Sequence, residues 1–488
     1  METGAKTASR TGTETDGEPA AGRGLSRRRV RRLAMGVLIG LLVGALVIAG
    51  LLLLLRPQPR QDPPPEPGPA EKAMTAVTTG VPAALPDLAV LIGERRAHLR
   101  THPRDARSWA VLGAAYVEQG RRTADAAHYP TAERALRTSL KVRPRGNAEA
   151  LDGMAALGIA RRDFRAARTW GEAALKVDRT RWTTHALLIE AYTGLNDYKA
   201  ARSTLDRLQA LHSGTAVMAR SAAVYWDRGW REDAAATLSD AAAAAEAPAE
   251  RAAWLERAGQ LAWERGDREV ALRHFEEAVR VDPDQRAAQA GQGRALAALG
   301  RTTEALSAYR LALAKQPSPG YALELGELYE SLGLDQAARA QYDLLHAQVR
   351  SAAEGGVDEE LVLGRFEADH GDPEEAVRRL RAEWRKQPGI AVADALGWAL
   401  HRAGQHEEAL EYAERATDKE RGGGVRSALY AYHRGMIEHA VGLDGPARRH
   451  LREALLINPY FSPLWAPLAR EVLQELGEPP DVEVPATR

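Results

Sequence analysis

The residues of this chain that could do chemistry are few and poorly spaced for it. Cysteine is absent from all 488 residues, which removes disulfides, thiolate zinc sites, iron–sulfur clusters, covalent haem attachment, cysteine nucleophiles and a lipid-bearing N-terminal cysteine. The 13 histidines show no HExxH spacing. The nearest approach to a metal pattern, His433 with Glu438 and His439, matches no metalloprotease motif and reads as ordinary polar positions on helices. No GxxxxGK is present to cradle phosphate, and no GxSxG elbow. Carboxylates are plentiful, but they alternate with arginine on solvent faces of helices. No catalytic set, cofactor site, metal site or small-molecule substrate site emerges, and the chain reads as a non-enzyme. Lys plus Arg and Asp plus Glu balance at 66 each, so a global basic field for nucleic acid is absent too. What remains is binding of another protein.

The elements that would present such a surface are legible from a period. Alanine recurs about every 34 residues, at Ala132, Ala167, Ala201, Ala234, Ala271, Ala305, Ala338, Ala376, Ala409 and Ala447. A short step before most of these stands a glycine, at Gly229, Gly266, Gly300, Gly333, Gly371, Gly404 and Gly442, with Arg162 and Asn196 in that place in two units. Each unit therefore reads as helix, turn, helix. Glycine suits the left-handed residue that ends a first helix, asparagine tolerates it, and alanine lets two helices approach closely. The composition, 45% hydrophobic with few aromatics and many Ala, Leu, Arg and Glu, agrees with an elongated α protein, and no alternating strand pattern is seen.

The columns are fullest in the stretch carrying Leu255, Gly259, Ala271, Phe275, Ala278 and Pro283, and again in Gly293, Leu296, Ala305, Tyr309, Ala312 and Pro317. Leu325, Gly326, Tyr329, Ala338 and Tyr342 follow with a one-residue slip, and Trp109, Leu112, Gly113 and Tyr116 open the first unit. This pattern resembles the tetratricopeptide repeat family over residues 104–460. The resemblance implies an all-α, right-handed solenoid of about ten helix hairpins, in which each pair buries its apolar stripe against its neighbours. Three places depart from the pattern. RRTADAAHYP widens the first unit and predicts a protruding loop; DAAAAAEAPAE lengthens a later link; ERGGGV predicts a flexible tip. Residues 83–103 read as a leading helix, 461–477 as a capping helix with Leu464, Leu468 and Val472 covering the open end, and 478–488 as a disordered tail.

Ahead of the repeats, residues 33–55 form an apolar run long enough to cross a bilayer, longer than a signal peptide core and without a clear cleavage site. It reads as a transmembrane signal anchor. Arg27, Arg28, Arg29, Arg31 and Arg32 crowd its N-terminal side against Arg56 and Arg60 beyond it, so the positive-inside rule places residues 1–32, a disordered tail, in the cytoplasm and the repeats outside. Residues 56–82 begin with a proline-rich run and read as an extended stalk. Arginine outnumbers lysine, which with abundant alanine suggests a GC-rich bacterial genome.

The family resemblance also says where a partner would lie. First helices of successive repeats line a concave groove, and the matching positions hold Trp226, Glu256, Gln260, Trp263, Arg294, Glu327, Glu330, Arg365, Trp398, His401, Tyr432, Met436 and His439. Large aromatics there could anchor a protein or peptide, although an aromatic at helical spacing more often packs between neighbouring repeats. Trp109, Trp170 and Phe275 fit packing roles better. The Lys and Asn with which some family members clamp a C-terminal carboxylate are missing from these columns, so that ligand is not carried over. The expectation is a membrane-anchored scaffold or adaptor whose C-terminal groove, at Trp398, His401, Tyr432 and Met436, contributes more to binding than the convex face. A cytoplasm-facing adaptor of opposite topology is the alternative, and an enzyme with a cryptic groove site the remote one.

Overall fold

The computed structural model describes residues 27–54, 66–418 and 424–477. Among them it is all α, with 24 helices and no strand. Two units are distinguished, Met1–Glu66 and Pro67–Arg488. The described part of the first contains α1 (Arg27–Leu54), whose stretch Ala34–Leu52 is long and apolar enough to cross a membrane, with its leucines exposed. Of the tail expected to be disordered over residues 1–32, residues 27–32 are helical as the start of α1, while residues 1–26, the proline run over 56–65, most of the glycine-rich tip and the tail over 478–488 lie outside the described residues.

The second unit opens with α2 (Pro69–Thr79) and α3 (Leu85–Thr101). Ten hairpins follow: α4 (Ala106–Thr123) with α5 (His128–Val142), α6 (Ala148–Ala160) with α7 (Phe164–Val177), α8 (Trp182–Gly194) with α9 (Tyr198–Leu211), α10 (Thr215–Asp227) with α11 (Arg231–Ala244), and α12 (Pro248–Glu264) with α13 (Arg268–Val281). The second five are α14 (Arg286–Ala298) with α15 (Thr302–Lys315), α16 (Pro319–Ser331) with α17 (Asp335–Glu354), α18 (Glu360–His370) with α19 (Pro373–Lys386), α20 (Ile390–Arg402) with α21 (His406–Thr417), and α22 (Ala428–Ala440) with α23 (Asp444–Ile457). Helix α24 (Trp465–Glu475) closes the stack, burying Ala466, Ala469 and Val472.

The periodic alanines do what their size permits. All ten, one per hairpin, are 2% exposed or less, and the flanking helices pack across them. Phe275 shows the complementary arrangement: a Cβ on either Gly259 or Gly291 would meet its ring at 2.6 or 2.5 Å, so the two glycines form its slot. The turn column is left-handed at Arg162, Asn196, Gly229, Gly266, Gly300, Gly333, Gly404 and Gly442, and an amide one residue later closes each turn on a carbonyl five residues back, as Trp230 N–H does on Tyr225. Gly371 departs, with φ −129; the next residue, Asp372, caps a helix that starts on Pro373.

Three expectations are corrected. The widened first unit makes no protruding loop: α4 runs on to Thr123, burying Gly120 and Arg122, and leaves a short link in which Ala126 is itself buried. The stretch expected to stay extended to residue 82 is helical from Pro69 to Thr79, because Pro at the first helical position is followed by strong helix formers, and Ala73 and Ala76 pack among Leu88 and Leu91. The alanine-rich link is largely helix as well, with α12 starting early on Pro248.

Candidate functional site

Among the described residues, substantial helix-on-helix packing joins only helices at most two apart in the chain. The solenoid nevertheless meets itself one superhelical turn later, through loops. Asp358 N–H donates to Arg161 C=O at 3.0 Å, and Arg161 Nε donates to Gly355 C=O at 2.9 Å. A Cβ on Gly389 would lie 3.4 Å from Gly194 C=O, and one on Gly229 only 2.7 Å from Gly424 C=O. Asn458 Nδ2 donates to Trp263 C=O at 2.8 Å, and Arg268 stacks its guanidinium over Tyr460 at 4.2 Å. In each case the turn inside one hairpin faces the loop that follows the hairpin five further on. The concave face thereby becomes a lumen.

Two adjoining cavities open on the inside. One, of about 460 Å³, lies on α8, α10 and α12 and is lined by four carboxylates, Glu190, Asp227, Glu256 and Glu264, by Arg220 and Arg257, and by Trp226 and Gln260. The other, of about 580 Å³, shares Glu190, Thr193, Trp226 and Asp227 and reaches the seam at Gln387 and Tyr430. A third, of about 310 Å³, lies between Trp263, Arg294, Glu324 and Glu327 and the segment Pro459 to Arg470. A fourth hollow of about 600 Å³, at Trp109 and Arg134 between α3, α4 and α5, is separate from these and contains none of the predicted groove residues.

Side chains inside the lumen are partly wetted yet have protein on every side, and their acidities show it. Burial pushes Asp227 up to about 7, opposed only by a Thr193 hydroxyl donating at 3.4 Å. Burial likewise raises Glu256 and Glu264, and lowers Arg257 to about 10, with Arg220 adding to the effect. Glu190 is lowered: burial works against its charge, but Arg220, at 2.7 Å, and other arginines outweigh it. Arg294 is held by Glu324 at 2.7 Å and by the Gln260 side chain at 2.6 Å.

The predicted groove residues separate into two groups. Trp226, Glu256 and Gln260 line the 460 Å³ cavity; Trp263, Arg294 and Glu327 line the third, although Trp263 is itself buried. Glu330 accepts from the Tyr342 hydroxyl and, with Glu327, faces His370; Arg365 is half-buried beside Tyr430. The C-terminal set is elsewhere. Tyr432 is 0% and Trp398 3% exposed; they pack with Phe461 and Trp465, and Trp398 Nε1 donates to Asp369 at 2.8 Å. Met436 packs against the same cluster, burial lowers His401 to about 4 beside His406, and His439 reaches Asp444 across a turn. The aromatic anchor expected there is instead the glue of the last repeats, because apolar rings gain more by mutual burial than by facing a wet groove. Among the described residues no cluster of His, Asp and Glu is arranged to hold a metal.

Sequence reasoning missed Glu190, Asp227 and Arg257, which lie on first helices but outside the aromatic columns used to find the groove. It also missed Gln387 and Asn458. Both stand before a proline just after the second helix of a hairpin, a column shared with Asp282, whose carboxylate pairs with Arg122 of the first hairpin.

Residues 256–322 match the family model described as tetratricopeptide repeat. No curated protein matches the chain. Among solved structures, it is similar to one titled for functional characterization of Pseudomonas aeruginosa pilF, at 18% identity over 42% of this chain and 95% of that one, with TM-score 0.34. It is also similar to a tetratricopeptide repeat protein from Parabacteroides merdae, at 17% identity over 54% and 99%, with TM-score 0.31. Human IFIT1, solved as a dimer with PPP-AAAA, is similar at 16% identity over 71% and 80%, with TM-score 0.44.

Proposed function

Because the chain is a tetratricopeptide-repeat protein, we propose that it is a membrane-anchored scaffold or adaptor that holds a segment of a partner protein in its lumen, outside the cytoplasmic membrane. The observation that carries this reading is the wet cavity on α8, α10 and α12, where Trp226 lies beside Asp227, Glu256 and Arg257. These groups are partly stripped of water without being fully paired to one another. A peptide that brings backbone donors and acceptors, or a charged side chain, satisfies them at little further desolvation cost. Four carboxylates against two guanidiniums make the same wall unfavourable for a nucleic-acid backbone.

Anchoring through α1 is supported by its length and apolar surface, and the outward orientation by the arginine excess on its N-terminal side. Two experiments test the proposal. In photo-crosslinking of the full-length chain in its membrane, Trp226→Ala with Glu256→Gln should cut partner capture about tenfold, the size expected of hot-spot losses of about 1.4 kcal/mol or more; unchanged capture would remove the partner from the lumen. A reporter fused to the C-terminus should be active only outside the membrane. Activity only inside would establish the opposite topology, a cytoplasm-facing adaptor.

A further inference from the structure

Among the described residues, the seam between superhelical turns is built differently from the packing of neighbouring hairpins. Neighbouring hairpins meet through broad apolar faces, whereas the turns meet through loops, by hydrogen bonds and ion pairs with a few apolar contacts such as Val357 and Tyr460. Gln387 is the clearest case. Its side chain is 4% exposed; Oε1 accepts from Phe164 N–H at 3.0 Å and Nε2 donates to Arg162 C=O at 2.8 Å, more than 220 residues away in the chain. Asn458, 2% exposed, does the same for Trp263 C=O. Gly355 lets the backbones touch: a Cβ there would lie 2.3 Å from Ala126 C=O. Polar groups that part are rehydrated, while apolar faces that part are not, so of the two interfaces the seam is the one that opens without unfolding a repeat.

We propose that the seam is a clasp: Gln387 and Asn458 hold the lumen closed, and a partner segment reaches the inner cavities when they release the first turn. This regulation rests on the lumen being the binding site. The 580 Å³ cavity supports it, because its wall contains Gln387 itself, so opening the clasp widens the cavity in the same movement.

The absence of cysteine gives a direct test that needs no partner. In the full-length chain in mild detergent, Ala223→Cys places a single thiol inside the 460 Å³ cavity, and Ala236→Cys places one on the outer side of α11. The inner thiol should react with a small thiosulfonate but at least tenfold more slowly than the outer one with a bulky polymer-linked maleimide. Adding Gln387→Ala with Asn458→Ala should remove that difference at unchanged circular dichroism. Gly355→Ala provides a second variant: its φ of −83 accepts alanine, so the added methyl pries the seam without deleting a hydrogen bond. Gly445→Ala, with nothing within 4 Å, is the control and should change nothing. Equal inner and outer rates in the parent, or a slow inner thiol that neither variant accelerates, would overturn the clasp. Fast labelling in the opened variants together with unchanged partner capture by the Trp226 and Glu256 variant would leave the clasp standing and sink the lumen as binding site.

Discussion

Within one superhelical turn and between two of them, the same chain solves packing in opposite ways. Inside a turn, Ala271, Ala305 and their equivalents are fully buried and helices close on one another through apolar contact. Between turns, buried amides such as Gln387 and Asn458 bind backbone groups of loops. Apolar contact is non-directional and grows with every repeat added. Amide contact is directional, needs one geometry and is readily exchanged for water. The first kind therefore sets stability, and the second sets shape.

The largest effect that separates the two should come from the aromatic cluster of the last repeats. Tyr432→Ala, at a fully buried ring between Trp398, Phe461 and Trp465, should cost about 3–5 kcal/mol in chemical denaturation. A small loss would mean that the cluster is loosely packed and reopen its role as a binding surface. Next, Ala271→Leu or Ala305→Leu should overpack an alanine column by roughly 1–3 kcal/mol, read as a lower melting temperature. Unchanged unfolding in both would break the account of packing inside a turn.

Asp227 comes third. Its folded pKa, about 7 against an ordinary 3.8, is raised, so folding binds a proton more tightly; the stabilisation is complete below about pH 4 and is lost as pH rises through 7. The groups around it are Thr193 and Glu190 on α8, Tyr198 on α9 and, across the seam, Tyr430. Asp227→Asn should therefore gain on the parent between pH 5 and 8, by on the order of 1–2 kcal/mol once lumen water is allowed for. A difference that does not move with pH would place Asp227 in open solvent.

The smallest effect should belong to the seam. Gln387→Ala should lower global stability by less than about 1.5 kcal/mol, because the orphaned Phe164 N–H and Arg162 C=O regain water when the seam parts. Hydrogen exchange at the Phe164 amide should nevertheless accelerate. Global destabilisation as large as that of Tyr432→Ala would make the seam part of the core and abolish the contrast.

The repeats were legible because their physics is local and periodic. The alanine at Ala305 and the left-handed glycine at Gly300 answer to neighbours within one hairpin, so the spacing of residue types suffices to place them. Helix α2 was hidden by the prolines before it, although Ala73, Met74, Ala76 and Val77 had the right types for a packed helix. For the candidate site, the first-helix columns named Trp226, Glu256 and Gln260 but also drew in Trp398 and Tyr432. Identical spacing serves a groove or a core, and only the neighbours of each ring distinguish them.

By itself, then, the sequence determined the helices, the hairpin register and an N-terminal helix apolar enough for a membrane, since each follows from residue type and spacing over a few turns of helix. Only the tertiary structure decided that the solenoid meets itself, that Asp227, Glu256 and Arg257 share one cavity wall, and that Gln387 faces Phe164. The physical reason is accumulation: a small rotation per repeat, summed over about five hairpins, decides which loop meets which turn, and no local pattern encodes that sum.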